Sequence, residues 1–165
     1  AECLMVQMAK RFDLMDRITP AGRTLGRREM FGDRSEARDY FAGKTLFRDF
    51  DPVCLDDYVE HALVETGSDL RLRFDPAVEI SIYRNAPHVA PGQPQQLKLP
   101  LALVRGRHSR VVMPRHARQA KRLAQGEYLT LAGGHLFPLE RPQATAELLH
   151  SLLQRWDQRA RQESP

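Results

Sequence analysis

The chain has 165 residues, of which 42% are hydrophobic and 28% are charged, a balance typical of a folded globular domain rather than a disordered segment. Its apolar runs, such as residues 3–6 and 99–104, are far shorter than the ~20 residues that a membrane-spanning helix needs. The net charge of +4 comes from arginines that are scattered among acidic residues, with no aromatic and basic stripe. We therefore expect neither a membrane nor a nucleic acid as a partner.

The two cysteines, Cys3 and Cys54, lie among apolar residues at helical spacing, which favours buried free thiols over a disulfide. Free thiols are typical of a reducing compartment. The first residues also lack the basic leader and apolar core of a secretory signal. These features predict a cytoplasmic protein, and the absence of an initiator methionine indicates that the chain is processed, trimmed or excerpted.

Residues 1–88 are predicted to be mostly helical. Apolar residues recur at steps of three and four in residues 2–18, which is the pattern of an amphipathic helix. N-cap residues, helix-starting prolines and closing glycines predict further helices. These are residues 23–33, a helix capped by Ser35 and closed by Gly43, a helix from Asp51-Pro52 to Gly67, and a helix begun by Asp75-Pro76. Only residues 70–74 alternate, which indicates a short strand or an extended arm.

The pattern changes after a segment rich in proline, glycine and glutamine, which we interpret as a linker at residues 89–98. Residues 99–160 read as strand, helix, strand, helix, and this alternation predicts an α/β fold with parallel strands. The strands are "LKLPLALVRG" and "GEYLTLAGG", and the helices are "PRHARQAKRLA" and "RPQATAELLHSLLQRW".

Two parallel strands do not make a self-sufficient sheet, because parallel sheets are normally covered on both faces. Leu101, Val104, Leu129 and Leu131 need further strands beside them, and no other convincing buried-strand run occurs in the sequence. Either another chain supplies those strands, or this is the C-terminal portion of a longer protein.

The segment "TLAGGHLFPLERP" resembles the strand-to-histidine turn of α/β-hydrolase-fold enzymes. The motif positions that match are Gly133, Gly134, His135, Pro138, Glu140 and Pro142. Residues 97–153 are similar to the last two strands of that fold, and residues 1–88 are similar to the helical cap that many members insert before them. The resemblance implies the C-terminal portion of an α/β-hydrolase fold.

The resemblance also implies a function, namely a serine hydrolase acting on an ester, amide or similar bond of a small molecule. His135 would be the general base, since histidine exchanges protons near neutral pH. Leu136 and Phe137, next to it, would contribute to the substrate pocket. The implied chemistry uses no cofactor and no metal.

Two members of the catalytic triad are missing. No serine in the chain lies in a G-x-S-x-G elbow, so the nucleophile would lie upstream of Ala1 in the missing N-terminal half of the fold. Many members carry an aspartate three or four residues after the glycine that ends the penultimate strand, but Ser109 and Arg110 occupy those positions here. The triad acid is therefore unknown, and Asp75 and Glu140 have simpler roles as a helix cap and as a support of the histidine loop. The chain alone should be inactive.

Other interpretations remain open at this point. His108, His116 and His135 could suggest a metal site, although their spacing does not match zinc ligands. The aromatic residues of the helical region could line a pocket, although aromatic residues at helical spacing are more often core. The chain could also be a non-catalytic, degenerate hydrolase-like or interaction module. The substrate and the oligomeric state cannot be determined from the sequence.

Overall fold

A computed structural model describes residues 2–12, 14–85, 99–115, 118 and 126–163. The linker at residues 89–98 and most of the helix expected at "PRHARQAKRLA" lie outside the described residues. The chain divides into two compact units. The first comprises residues 1–43 and 56–91, and the second comprises residues 44–55 and 92–165.

The first unit combines short helices with a small antiparallel sheet. Its elements in chain order are α1 (Glu2–Arg11), α2 (Met15–Ile18), α3 (Ala21–Thr24), β1 (Met30–Phe31), α4 (Arg34–Ala42), most of α5 (Pro52–Ala62), β2 (Leu63–Thr66), β3 (Asp69–Leu72) and α6 (Pro76–Arg84). The sheet order is β1-β3-β2. Strands β2 and β3 form a hairpin that turns at Gly67, whose φ of +62° is a conformation that glycine adopts readily.

The sheet corrects the sequence interpretation of this unit. Residues 23–33 are not one helix, because Gly26 has a φ of +71° and the chain after it pairs with β3. The helix from Pro52 ends at Ala62 rather than at Gly67, since residues 63–66 pair with β3 instead. Helical periodicity is a local signal, and here pairing with a distant strand overrides it.

The helix caps agree with the sequence at two of three positions. The Asp75 carboxylate accepts the Ala77 N–H at 2.8 Å, and the Asp51 carboxylate accepts the Val53 N–H at 3.0 Å. The cap of α4 is Asp33, which accepts the Glu36 N–H at 2.8 Å, so the prediction of Ser35 was wrong by two residues. Both residue types suit an N-cap, and the sequence alone does not rank them.

Aromatic side chains form one cluster within the core of the first unit. Phe31 is 1% exposed, and its ring lies 5.3 Å from Tyr40 and 5.5 Å from Phe41 between centroids. Phe41 also meets Tyr58 edge to face at 5.1 Å. These rings pack against one another, which supports the core interpretation over a substrate pocket for this cluster.

The second unit contains the two parallel strands expected from the sequence, and two helices follow the second strand. Strand β4 (Ala102–Gly106) pairs with β5 (Glu127–Leu131), with Ala102 opposite Glu127 and Gly106 opposite Leu131. A short helix α7 (Phe137–Glu140) and a long helix α8 (Pro142–Glu163) follow β5. Among the helices of the described residues, none is both long enough and apolar enough to cross a membrane.

Helix α8 is joined to β5 through one carboxylate. Glu127 accepts hydrogen bonds from Arg155 at 2.8 Å and from the Trp156 indole at 3.2 Å. The hydrogen bond from Arg155, followed by the one from Trp156, lowers the pKa of Glu127, while burial acts in the opposite direction. Leu152, on the same helix, is 2% exposed. The strand and the helix are thus joined by polar contacts to one carboxylate.

We expect Glu127→Gln to destabilise the chain near neutral pH by about 1 kcal/mol, a small value because the two ion-pair partners are partly exposed. The pKa of Glu127 is lowered in the folded chain, so its contribution is present above the ordinary value of 4.5 and is lost as pH falls through the lowered value. Urea unfolding followed by fluorescence of Trp156, the single tryptophan, should show the difference near pH 7 and little difference near pH 3.

Asp157→Asn is the matched control, since the ion-pair partner of Asp157 within the described residues is the exposed Arg161 one turn away on the same helix. It should change the free energy of unfolding by less than about 0.5 kcal/mol. An equal loss in both variants would contradict the role assigned to Glu127.

Candidate active site

The histidine loop, residues 132–136, depends on its two glycines. Gly133 has a φ of +128°, which residues with a side chain rarely adopt. Gly134 donates its N–H to the Glu140 carboxylate at 2.6 Å. A Cβ on Gly133 or Gly134 would lie 2.8 or 2.7 Å from a carboxylate oxygen of Glu140, closer than such contacts occur. Glu140 therefore supports the loop, as the sequence predicted, and leaves His135 exposed.

The segment after β4, here called the β4 loop (residues 107–113), is bonded directly to the histidine loop. Arg107 donates its N–H to the Leu131 carbonyl at 2.8 Å, and His108 donates to the Gly133 carbonyl at 2.9 Å. A Cβ on Gly106 would overlap the carbonyl oxygen of Gly134. The two loops can therefore approach this closely only because position 106 is glycine.

This close approach places Ser109 beside the candidate base. The Ser109 hydroxyl oxygen lies 3.5 Å from Nδ1 of His135, which is long for a hydrogen bond involving a hydroxyl. Ser109 is 4% exposed, and its Oγ accepts the Val112 N–H at 3.2 Å. The residue at one of the usual aspartate positions thus faces the imidazole, while Arg110 is exposed.

Ser109 is poorly placed to be the nucleophile itself. Its side chain is buried, whereas a nucleophile must reach the substrate, and it is not flanked by glycines in an elbow. The other described serines lie in helices or in the β2–β3 turn rather than between a strand and a helix. They are Ser35, Ser68, Ser81 and Ser151, and Ser164 lies outside the described residues.

Arg105 supports the β4 loop through hydrogen bonds to its backbone. This role was not predicted from the sequence. Its side chain is on β4, the residue is 9% exposed, and its guanidinium donates to the Val112 carbonyl at 2.6 Å and to the Ser109 carbonyl at 2.9 Å. It forms no ion pair with a carboxylate in the described part of the chain. The available signal was one charged residue inside the apolar run "LALVRG".

Arg105 also acts on the neighbouring strand. The pKa of the Tyr128 phenol is lowered, first by a hydrogen bond with Thr130, while desolvation acts in the opposite direction. Arg105 adds a further hydrogen bond and its positive charge, and both also lower the pKa. The Arg105 guanidinium therefore stabilises the ionised form of the phenol on the neighbouring strand.

The remaining predicted site residues lie close to His135 in sequence. Leu136 and Phe137 are half-buried at the start of α7, and the backbone carbonyl of Leu139 in that helix accepts the Asp51 N–H at 2.9 Å. Sequence reasoning did not anticipate that residues 44–55 would join this unit. Phe47 and Phe50 of that segment pair at 5.1 Å between ring centroids.

A metal site has no support within the described ranges. No group of three or more His, Cys, Asp or Glu residues there could hold a metal ion. His108 is exposed, and His116 lies outside the described residues. Asp75 caps α6 in the first unit, as the simpler interpretation predicted. A polar pocket of about 430 Å³ in the first unit is lined by residues 16–20, 22 and 23, and it contains no histidine, serine or cysteine.

The fold is that of known hydrolases, although sequence comparison finds no relative. No protein-family model and no curated protein matches the chain. The peroxisomal alpha-beta-hydrolase of Saccharomyces cerevisiae matches with a TM-score of 0.67 and 17% identity, covering 81% of this chain and 38% of that one. E-2-(acetamidomethylene)succinate hydrolase matches with a TM-score of 0.66 and 18% identity, covering 86% of this chain and 51% of that one. An M. tuberculosis esterase matches with a TM-score of 0.58 and 20% identity, covering 82% of this chain and 48% of that one.

These similarities establish the class of fold. The chain has a partial α/β-hydrolase fold, as the histidine motif predicted, and it spans between 38% and 51% of the length of these three enzymes. At such low identity, the likeness shows the fold and leaves the activity to be argued from the site.

We expect Gly106→Ala to destabilise the second unit by about 1–3 kcal/mol, because the new methyl group would push the Gly134 carbonyl away. Amide chemical shifts of residues 131–135 should move, and denaturant unfolding should show the loss. Gly43→Ala is the control, since a Cβ there would lie 3.6 Å from its nearest neighbours at an ordinary φ. Unmoved shifts in the Gly106 variant would contradict the close approach.

Proposed function

We propose that this chain is part of a serine hydrolase that cleaves an ester, amide or similar bond in a small molecule, with His135 as its general base. The observation that carries the proposal is an exposed imidazole on a loop at the end of a parallel strand, supported by Glu140 and facing the β4 loop through Nδ1. This orientation leaves Nε2 on the opposite side of the ring from the β4 loop. The partial α/β-hydrolase fold supports the same reaction class.

In the proposed reaction, a serine hydroxyl attacks the carbonyl carbon while Nε2 of His135 takes its proton. The tetrahedral intermediate then collapses as the imidazolium returns the proton to the leaving group. Water releases the acyl group by the same steps, with His135 again as the base. Side chains alone carry this chemistry, so the proposal calls for no cofactor or metal.

The serine and the donors that stabilise the oxyanion belong, in this proposal, to an N-terminal half of the fold that precedes residue 1. Strands from that half would cover apolar side chains of β4, of β5 and of the residue just before β4. These side chains are only half-buried here. Leu101, Val104, Leu129 and Leu131 are the residues concerned. The 165-residue chain would then be inactive alone.

The proposal keeps the division of the chain that the sequence suggested. Residues 1–88 serve as the cap, apart from residues 44–55, which belong to the unit that carries the histidine loop. Residues 89–98 serve as the linker, and residues 99–160 as part of the hydrolase core. Leu136 and Phe137 offer apolar surface next to the base, which suits the apolar part of an ester or amide. We place the protein in the cytoplasm with a small molecule as substrate, and without a membrane or nucleic acid partner. Support for this location is that Cys54 forms no disulfide within the described residues.

A serine-reactive fluorophosphonate probe should not label the 165-residue chain, because no described serine is activated in an elbow. Mass spectrometry after incubation with the probe would check this directly. A protein that contains an upstream strand, G-x-S-x-G elbow and helix followed by this chain is the positive control and should be labelled at the elbow serine. Labelling of Ser109 in the short chain would make Ser109 the nucleophile and overturn the assignment.

In that longer protein, His135→Ala should lower the turnover of an ester substrate by at least about 10⁴-fold, since the serine would lose its base. Circular dichroism should show an unchanged fold, because His135 is exposed. His150→Ala is the matched control, as His150 is an exposed histidine on α8 and should leave turnover unchanged. Retained turnover without His135 would remove it from the mechanism.

A second candidate is a non-catalytic, hydrolase-like module. The observation in its favour is that a neutral hydroxyl, rather than a carboxylate, faces Nδ1 of His135 in the described residues. The coding sequence upstream of residue 1 separates the two candidates. A serine elbow there, with an Asp or Glu at the end of the following strand, supports the hydrolase, and its absence supports the module.

A further inference from the structure

We propose that Ser109 is a positioning residue for His135, and that its hydroxyl donates to Nδ1 so that the neutral imidazole carries its proton on Nε2. The position of this proton does not depend on the proposed function, whereas its consequence for catalysis does rest on it. The inference follows from the donors and acceptors around the buried hydroxyl.

The Ser109 hydroxyl has one hydrogen to donate and two lone pairs. One lone pair accepts the Val112 N–H at 3.2 Å. Among the described residues, Nδ1 of His135 is the acceptor within reach of the hydroxyl, at 3.5 Å. If Nδ1 carried a hydrogen and donated it, the hydroxyl would accept twice and its own hydrogen would have no acceptor among the described residues. Donation from Ser109 to Nδ1 avoids this unsatisfied hydrogen, and we therefore infer that direction. The distance is long, as polar contacts at unliganded active sites often are.

Arg105 keeps the hydroxyl in this place. Its guanidinium is buried under the β4 loop and binds the carbonyls of both Ser109 and Val112. Ser109 carries the hydroxyl, and Val112 carries the N–H that the hydroxyl accepts. The Arg105 side chain therefore fixes the positions of both groups. An arginine has donors only, so Arg105 offers the hydroxyl no acceptor that would compete with the imidazole.

A neutral imidazole has one N–H, and a nitrogen that accepts a hydrogen bond cannot carry it. If Nδ1 accepts from Ser109, the proton lies on Nε2. A general base at Nε2 needs the opposite tautomer, which a carboxylate selects by accepting the Nδ1–H. Ser109 thus holds His135 as an Nε2–H donor. Its conversion into a base requires a carboxylate from outside the described residues to take over Nδ1.

The test uses the ¹⁵N-labelled 165-residue chain at a pH where its imidazoles are neutral. Two-bond ¹H–¹⁵N correlation spectra distinguish the Nε2–H and Nδ1–H tautomers of each histidine. The unsubstituted chain and Ser109→Thr should show the Nε2–H pattern for His135. Ser109→Ala should lower the share of the Nε2–H tautomer to that of a free neutral imidazole, a mixture in which Nε2–H is still the major form.

Ser109→Asp should move the proton to Nδ1. Its carboxylate reaches further than Oγ and only accepts, while the Val112 N–H and the Arg105 contacts to the loop backbone remain available to it. His150 is the internal reference in all variants. The Gln154 amide nitrogen lies 2.8 Å from its Nε2, and its pattern should not change with residue 109.

An Nδ1–H or mixed pattern for His135 in the unsubstituted chain would overturn the inference. So would an Ser109→Ala spectrum identical to that of the unsubstituted chain. If Ser109→Asp does not fold, the alanine and threonine variants still decide the question. The spectra need no substrate, so they are independent of the turnover measured for His135→Ala. If the unsubstituted chain shows the Nε2–H pattern and His135→Ala retains turnover, Ser109 still positions the imidazole, but His135 is not the general base.

Discussion

The site depends on the close approach of two loops at the ends of two parallel strands. The β4 loop donates backbone N–H groups to the carbonyls of Leu131 and Gly133, and the absence of a side chain at Gly106 leaves room for the Gly134 carbonyl. Any other residue at position 106 would force the loops apart. The position of Ser109 beside His135 follows from this contact, because the backbone hydrogen bonds set the register of one loop against the other.

The second feature of the site is its charge. A buried guanidinium lies where a hydrolase commonly has a carboxylate nearby, and it is satisfied by two backbone carbonyls rather than by an ion pair. Burying an arginine in this way is costly unless all its donors find partners. Two Arg105 donors are satisfied by carbonyls of the β4 loop, so this arginine holds the loop, and His135 lies next to a neutral hydroxyl. A triad carboxylate would have to come from elsewhere in the fold.

The sequence predicted the second unit better than the first. The apolar runs at residues 99–106 and 126–134 identified two strands, and their separation by a helical pattern identified them as parallel. In the first unit, residues 63–66 continue the helical pattern of α5, yet they form a strand with β3. The pairing partners of β1 are some forty residues away, and no local pattern encodes them. Local propensity is a weak signal when a distant strand competes for the same backbone groups.

By itself, the sequence determined the histidine loop and the kind of fold to which it belongs. Gly133, Gly134, His135 and Glu140 lie within one short motif, and the Glu140 carboxylate supports the loop through the nearby Gly134 N–H. Only the tertiary structure decided what faces the histidine. Ser109 and His135 are 26 positions apart, and Arg105 was simply a charged residue in an apolar strand until the loop folded over it. Contacts of that kind depend on strand register and on the space left by Gly106, which are properties of the folded chain and not of any short segment of it.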